Sequence, residues 1–224
     1  MSHIRHPGLV TAIEADARHP GRFTVLVDGR PFASFPLDVL ERLDLRVGRP
    51  IEPLRETLER ELAALRTYDR AVNMLTARAR SARDLERQLV RKGEPPEHAK
   101  AAVERLRAAG FLDDASFARQ FVRSKTLGAG LASRRLRQEL ARRGVDRSVA
   151  DDAVAEVLAD ENVDERESAA SVARKRLRML ANVDPAGRRR RLYAFLARRG
   201  YDPDTIANAL RRVLADDAAA ADRE

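Results

Sequence analysis

Along most of the chain, apolar residues recur at steps of three and four. From Pro53 onward, Leu54, Leu58, Leu62, Leu65, Tyr68, Val72 and Leu75 form one continuous stripe. That spacing places side chains on a single face of an α-helix. Pro53 suits the first helical turn, where a missing N–H costs nothing. Unbroken to about Ala79, such a helix would be ~40 Å long at 1.5 Å per residue. Upstream the period is two instead. Residues 9–17 and 22–35 read as strands, with Phe23, Val25 and Val27 alternating with Thr24 and Leu26. Asp28-Gly29 supplies the positive φ values of a two-residue hairpin turn. Pro31 has no N–H to give a ladder, so its strand is predicted at a sheet edge. A short helix is predicted over Leu37 to Leu43, punctuated by Pro36, Gly48 and Pro50.

Downstream, one frame is repeated three times. It reads Leu85, Leu89, Arg91-Lys92-Gly93; then Leu136, Leu140, Arg142-Arg143-Gly144; then Leu192, Leu196, Arg198-Arg199-Gly200. The glycines are 51 and 56 residues apart. At 6, 10 and 13 residues beyond each glycine stand Ala99, Val103 and Leu106; Ala150, Val154 and Val157; Ile206, Leu210 and Val213. Two leucines one turn apart make the buried stripe of a helix. Two cations in the last turn complement the negative end of its dipole, and glycine ends it in the left-handed conformation. A second amphipathic helix then runs back. Further helical segments precede each pair, at Tyr68–Ala79, Ala115–Lys125 and Glu167–Leu180. Units of about 50 residues bury too little core alone, so neighbours must stack, as in other repeat proteins.

The predicted fold class is mostly α: tandem three-helix repeats in an elongated, curved array, with a small N-terminal cap containing a β-hairpin. Expected boundaries are residues 1–52 for the cap, 53–110 for the linking helix and first unit, 111–163 and 164–214 for the second and third units, and 215–224 for an acidic disordered tail.

Charge is distributed unevenly. Residues 1–66 are neutral, residues 67–214 carry 32 basic and 21 acidic side chains for a net +11, and residues 215–224 are net −3. A basic body of this kind attracts polyanions, nucleic acid above all. Lysine occurs only four times against 39 arginines, and such arginine use also arises from a GC-rich coding sequence. Cysteine is absent, which removes disulfides, thiol catalysis and cysteine-ligated zinc, and suits a reducing cytoplasm. No apolar run approaches the ~20 residues of a membrane helix. Met1 to Val10 shows no secretory pattern.

No catalytic residue, cofactor site or metal site is expected. A GxxxxGK[ST] phosphate loop and a G-x-S-x-G elbow are both missing from the sequence. The histidines, His3, His6, His19 and His98, have no metal-pair spacing on a helical face. Asp113 or Asp114 is expected to be a helix N-cap, its carboxylate accepting the free N–H groups of the following turn. Phe111, Leu112, Phe117 and Phe121 surround that helix start and are expected at the centre of the core.

Gly110-Phe111-Leu112-Asp113-Asp114-Ala115-Ser116-Phe117-Ala118 followed by Phe121-Val122 resembles the signature of the RecX family of recombinase regulators. So does Arg80-Ser81-Ala82-Arg83-Asp84-Leu85 with Lys92-Gly93. Gly130, Arg135-Leu136, Glu139-Leu140 and Gly144-Val145 are similar to the family's second-unit helix, and Leu196 to Ile206 with Arg198-Arg199-Gly200-Tyr201 to its third. The resemblance covers about residues 67–214. Glu94-Pro95-Pro96 departs from it, standing where the family has a large apolar residue. The resemblance implies a cytoplasmic, monomeric regulator in DNA repair, homologous recombination and the SOS response. It would bind the RecA recombinase filament, inhibiting its ATPase and strand exchange, with weak, non-specific contact to single-stranded DNA and none to membrane. The expected RecA- and DNA-binding residues are Arg80, Arg83, Arg87, Arg91, Lys92, Arg123, Lys125, Arg134, Arg135, Arg142, Arg143, Arg188, Arg189, Arg190, Arg191, Arg198 and Arg199. Two other readings fit the same residues: a stand-alone nucleic-acid binder with helix-turn-helix-like units, and a helical-repeat adaptor between proteins.

Overall fold

The computed structural model describes residues 8–221. Three strands, β1 (Val10–Ala15), β2 (Arg22–Val27) and β3 (Arg30–Pro36), form one antiparallel sheet in that order. They lead into α1 (Leu37–Arg42), a single 3-10 turn over Glu52–Leu54, and α2 (Arg55–Ala77). Eight further α-helices follow: α3 (Ala82–Arg91), α4 (Pro96–Ala108), α5 (Asp114–Ala129), α6 (Ser133–Arg142), α7 (Arg147–Asp160), α8 (Glu165–Leu177), α9 (Pro185–Arg198) and α10 (Pro203–Ala221). The helices condense into two compact units. Residues up to 74 join residues 89–104 in the first, and residues 75–88 join residues from 105 onward in the second.

In the first unit the hairpin forms where Asp28 and Gly29 take φ of 49° and 76°, as a turn matched to right-handed strand twist requires. Pro31 lies in β3 at the edge of the sheet, opposite Leu26. Val10, Val25 and Phe35 of the sheet bury against Val39 and Leu40 of α1 and Leu58 and Leu65 of α2. Arg22 grips the Asp69 carboxylate with both terminal nitrogens, one at 2.8 Å. Glu94, the residue that departs from the family pattern, is a polar anchor here. It accepts the hydroxyl of fully buried Thr67 and pairs with Arg70 at 3.0 Å. The Thr67 hydroxyl also has the Ala63 carbonyl as an acceptor at 3.1 Å, so Glu94 adds a second acceptor to a buried polar group, which an apolar residue could not do.

The second unit contains the second and third repeats whole. Ala118, Val122, Leu136, Leu140, Val154 and Val157 make the core of α5, α6 and α7. Ala169, Ala173, Leu192, Leu196, Ile206 and Leu210 make that of α8, α9 and α10. All fifteen leucine-frame and following-helix positions named from the sequence are buried, none more than 4 % exposed. Aspartates cap the helix starts. Asp113 accepts from the Ala115 and Ser116 amides, Asp146 from Ser148, Asp164 from Arg166 and Asp184 from Gly187.

Two expectations need correction. Phe111 is 69 % exposed, while Leu112 beside it is buried. Gly110 ends the preceding helix with φ of 75°, and the reversal turns neighbouring side chains to opposite sides. Phe117 and Phe121 are half-buried, their rings 6.2 Å apart. The second correction is at the C-terminus, where α10 runs on through Ala221 across most of the expected disordered tail. Alanine has the highest helix propensity, and Asp216 and Asp217 reach Arg174 at 3.7 Å and Arg188 at 3.0 Å. Residues 222–224, like Met1 to Pro7 with His3 and His6, lie outside the described residues.

Candidate binding surface and family

The seventeen basic residues named from the sequence separate into two groups. Nine have partners inside the fold. Arg80 pairs with Asp84 at 3.1 Å and is largely covered. Arg87 donates to the Arg142 carbonyl at 2.9 Å. Arg123 meets Glu161 at 2.6 Å. Lys125 stands 5.9 Å from the centre of the Phe121 ring. Arg135, Arg142 and Arg143 converge on Glu139 at 2.6, 3.3 and 2.7 Å, and Arg143 also stacks 4.4 Å over the Phe121 ring.

Arg188 departs from its expected exposure. It donates to the carbonyls of Val183 and Ala181 at 2.7 and 2.6 Å and pairs with Asp217. At 100° per residue four successive positions sweep most of a helix circumference, so one of the Arg188–Arg191 run must turn toward the body. Arg199 lies 3.7 Å over the Phe195 ring and gives its Nε to the Ala129 carbonyl at 3.0 Å.

The remaining eight are exposed and make no hydrogen bond or ion pair through their side chains with a described residue. In the first unit these are Arg91 and Lys92. In the second they are Arg83, Arg134, Arg189, Arg190, Arg191 and Arg198. Leu192 and Leu196 hold one side of α9 in the core, which leaves Arg189, Arg190, Arg191 and Arg198 across the solvent side.

Neutralisation at Glu139 has a measurable consequence. The Arg143 hydrogen bond, with Arg135 and Arg142 nearby, holds this carboxyl below the usual range. A depressed folded-state value stabilises the fold above the ordinary carboxylate range, and that stability is lost as pH falls through the folded value. Glu139→Gln should therefore cost about 1–2 kcal/mol at pH 7, and the difference from the parent should shrink progressively in melts taken to pH values below the ordinary carboxylate range. A pH-independent difference would mean that the side chain's shape, not its charge, matters.

The glycine of the repeat frame has a role that local sequence does not reveal. The Arg143 carbonyl accepts the Ser81 hydroxyl, and the Arg199 carbonyl accepts the Ala132 amide at 3.0 Å. The next residue in each case, Gly144 or Gly200, has positive φ, and a Cβ there would fall 2.5 Å from the Cβ of Arg83 or Arg135. The second and third frames thus end by pressing bare backbone onto the helix start of the preceding repeat. Tyr201 reinforces the third-repeat junction by donating to the Gly130 carbonyl at 3.1 Å, and burial pushes its phenol up to about 12.

Residues 68–106, 113–154 and 164–210 match the first, second and third three-helix domains of RecX, in that order. The regulatory protein RecX of Mycolicibacterium vanbaalenii is 39 % identical over 152 residues, covering 65 % of this chain and 81 % of that protein. The chain belongs to the RecX family. The RecX regulatory protein of Mycobacterium avium is 38 % identical over 166 residues, covering 73 % of this chain and 89 % of its own length. That of Streptomyces coelicolor is 31 % identical, covering 74 % and 84 %. A crystal structure of regulatory protein RecX shares the fold at a TM-score of 0.70 and 20 % identity, covering 93 % of this chain and 99 % of that one. The RecX structure from Lactobacillus salivarius does so at 0.54 and 17 %, covering 67 % and 96 %. No helix among the described residues is long and apolar enough to cross a membrane.

Proposed function

We propose that the chain binds the RecA recombinase filament and restrains its DNA-dependent ATPase and strand exchange. Membership of the RecX family across all three helical domains carries this reading. The surface is suited to it. Arg189, Arg190, Arg191 and Arg198 have no counter-ion within the described fold, so their charge is available to carboxylates or to DNA phosphates. Arginine engages both with paired N–H donors. The DNA contact in this reading is auxiliary, salt-steep and blind to sequence.

The test is a RecA ATPase assay on single-stranded DNA with purified protein added. The rate should fall at fewer than one regulator per recombinase protomer. Unchanged turnover at an equimolar ratio would remove the proposal. Tight, sequence-selective binding to naked DNA at physiological salt would favour a stand-alone nucleic-acid binder instead.

A further inference from the structure

A groove of about 470 Å³ opens in the second unit between the end of α5, α8 and the last turn of α9. Its charge is one-sided. Lys175, Arg176 and Arg199 line it, and no acidic residue does. Two guanidinium groups share the Phe195 ring, Arg199 at 3.7 Å and Arg176 at 5.3 Å from its centre.

The second repeat shows what is missing. Counting from the second leucine of the frame, Arg199 corresponds to Arg143, and Phe195 to Glu139. Arg143 also stacks on a ring, but its charge is met by the Glu139 carboxylate at 2.7 Å. In the third repeat phenylalanine has replaced that acid, and Arg199 and Arg176 form no ion pair with a described residue. Burial and the neighbouring Arg176 and Arg198 make the charged form of Arg199 harder to hold. Like charges gathered beside a half-buried ring are costly unless an anion is supplied.

The rest of the groove is apolar, with one unmet polar group. Leu127 and Met179 line it while 61 % and 75 % exposed, and the Thr126 hydroxyl, also in its lining, is buried without a hydrogen-bond partner. Methionine adapts its shape to whatever packs against it.

We propose that this groove takes an acidic peptide segment of a protein partner. A carboxylate would stand against Arg176 and Arg199, and a large apolar side chain against Leu127 and Met179. Nucleic acid fits less well, because single-stranded bases need an open aromatic face, and guanidinium groups already cover Phe195. The inference deepens the regulatory reading and rests on it only in requiring a protein partner.

The chain has three methionines, at positions 1, 74 and 179. Full-length protein carrying 13C-methyl methionine therefore reports on the groove through Met179, while Met74 is buried in the first unit. A short blocked peptide containing aspartate, glutamate and phenylalanine should shift the Met179 methyl and leave Met74 in place. Exchanging its acids for amides, or its phenylalanine for alanine, should weaken that response about tenfold each. Arg176→Gln and the exposed Lys175→Gln should weaken it in the same sense with helicity intact.

No Met179 shift up to about 1 mM peptide, or a shift indifferent to Arg176→Gln, would overturn the proposal. So would an oligothymidylate that shifts Met179 at lower concentration than the peptide. Such a failure with recombinase inhibition intact removes the groove alone. Loss of inhibition in the parent chain removes the functional reading instead.

Discussion

Replacing Gly200 or Gly144 with alanine is expected to lower the melting temperature by about 10 °C, corresponding to about 3 kcal/mol in a chain of this size. Two costs combine at these positions. An L-residue held at φ of 91° or 78° loses ~1–2 kcal/mol to the clash of its Cβ with the backbone. The new Cβ also lands 2.5 Å from the Cβ of Arg135 or Arg83, and at Gly200 a further contact of 2.8 Å falls on the Arg135 backbone nitrogen. Main chain at the start of a packed helix cannot rotate aside, so the junction must open, at a typical overpacking cost of ~1–3 kcal/mol.

Gly93 is the internal control. Its φ is 92°, but nothing lies within 4 Å of where its Cβ would be. Gly93→Ala should lose only the backbone share, about 1 kcal/mol. Circular dichroism melts of the three variants decide the matter. Equal losses would mean that the glycine only terminates helices and that the close approach between repeats contributes nothing.

The second large effect is expected on function. Changing Arg189, Arg190, Arg191 and Arg198 together to serine should raise the concentration needed for half-inhibition of the RecA ATPase by about 30-fold or more. Four contacts of ~0.5–1 kcal/mol each give a change of this size. Melting should move by no more than a few degrees, since none of these side chains is tied into the described fold. Arg188→Ser alone should do the reverse. It removes the partner of two carbonyls and of Asp217, so stability should drop while inhibition by the remaining folded protein persists. If the quadruple variant inhibited as well as the parent, the solvent side of α9 would not be the filament-facing surface. A flatter salt dependence in the quadruple variant would point to lost phosphate or carboxylate pairing rather than to lost shape.

The difference between Arg188 and its three neighbours shows where sequence reading stops. Four consecutive arginines are identical as letters, and helical geometry requires only that one of them face inward. Which one depends on the carbonyls of Ala181 and Val183 and on Asp217, a residue 29 positions away. Glu139 is similar. An acid one residue before a frame leucine looks like a solvent-facing charge, yet it gathers three arginines. Phe111 errs in the other direction, since an aromatic residue in a signature beside buried Leu112 looks like core and is mostly exposed. The nearby cap was legible to within one residue, as Asp113 or Asp114, because capping depends only on residues within one turn, and the structure places it at Asp113.

The sequence by itself determined the three-helix repeat, its register, the hairpin at Asp28-Gly29 and the family. Periodic burial, turn dihedrals and helix caps are properties of near neighbours, and the apolar period is written directly in the chain. Only the tertiary structure decided which cations are free, and why the second and third frame glycines differ from the first. The first depends on which carbonyls and carboxylates the fold brings to each guanidinium, some on the same helix and others 29 or more positions away. The second depends on packing against the preceding repeat, between residues some 60 positions apart, and no local pattern encodes it.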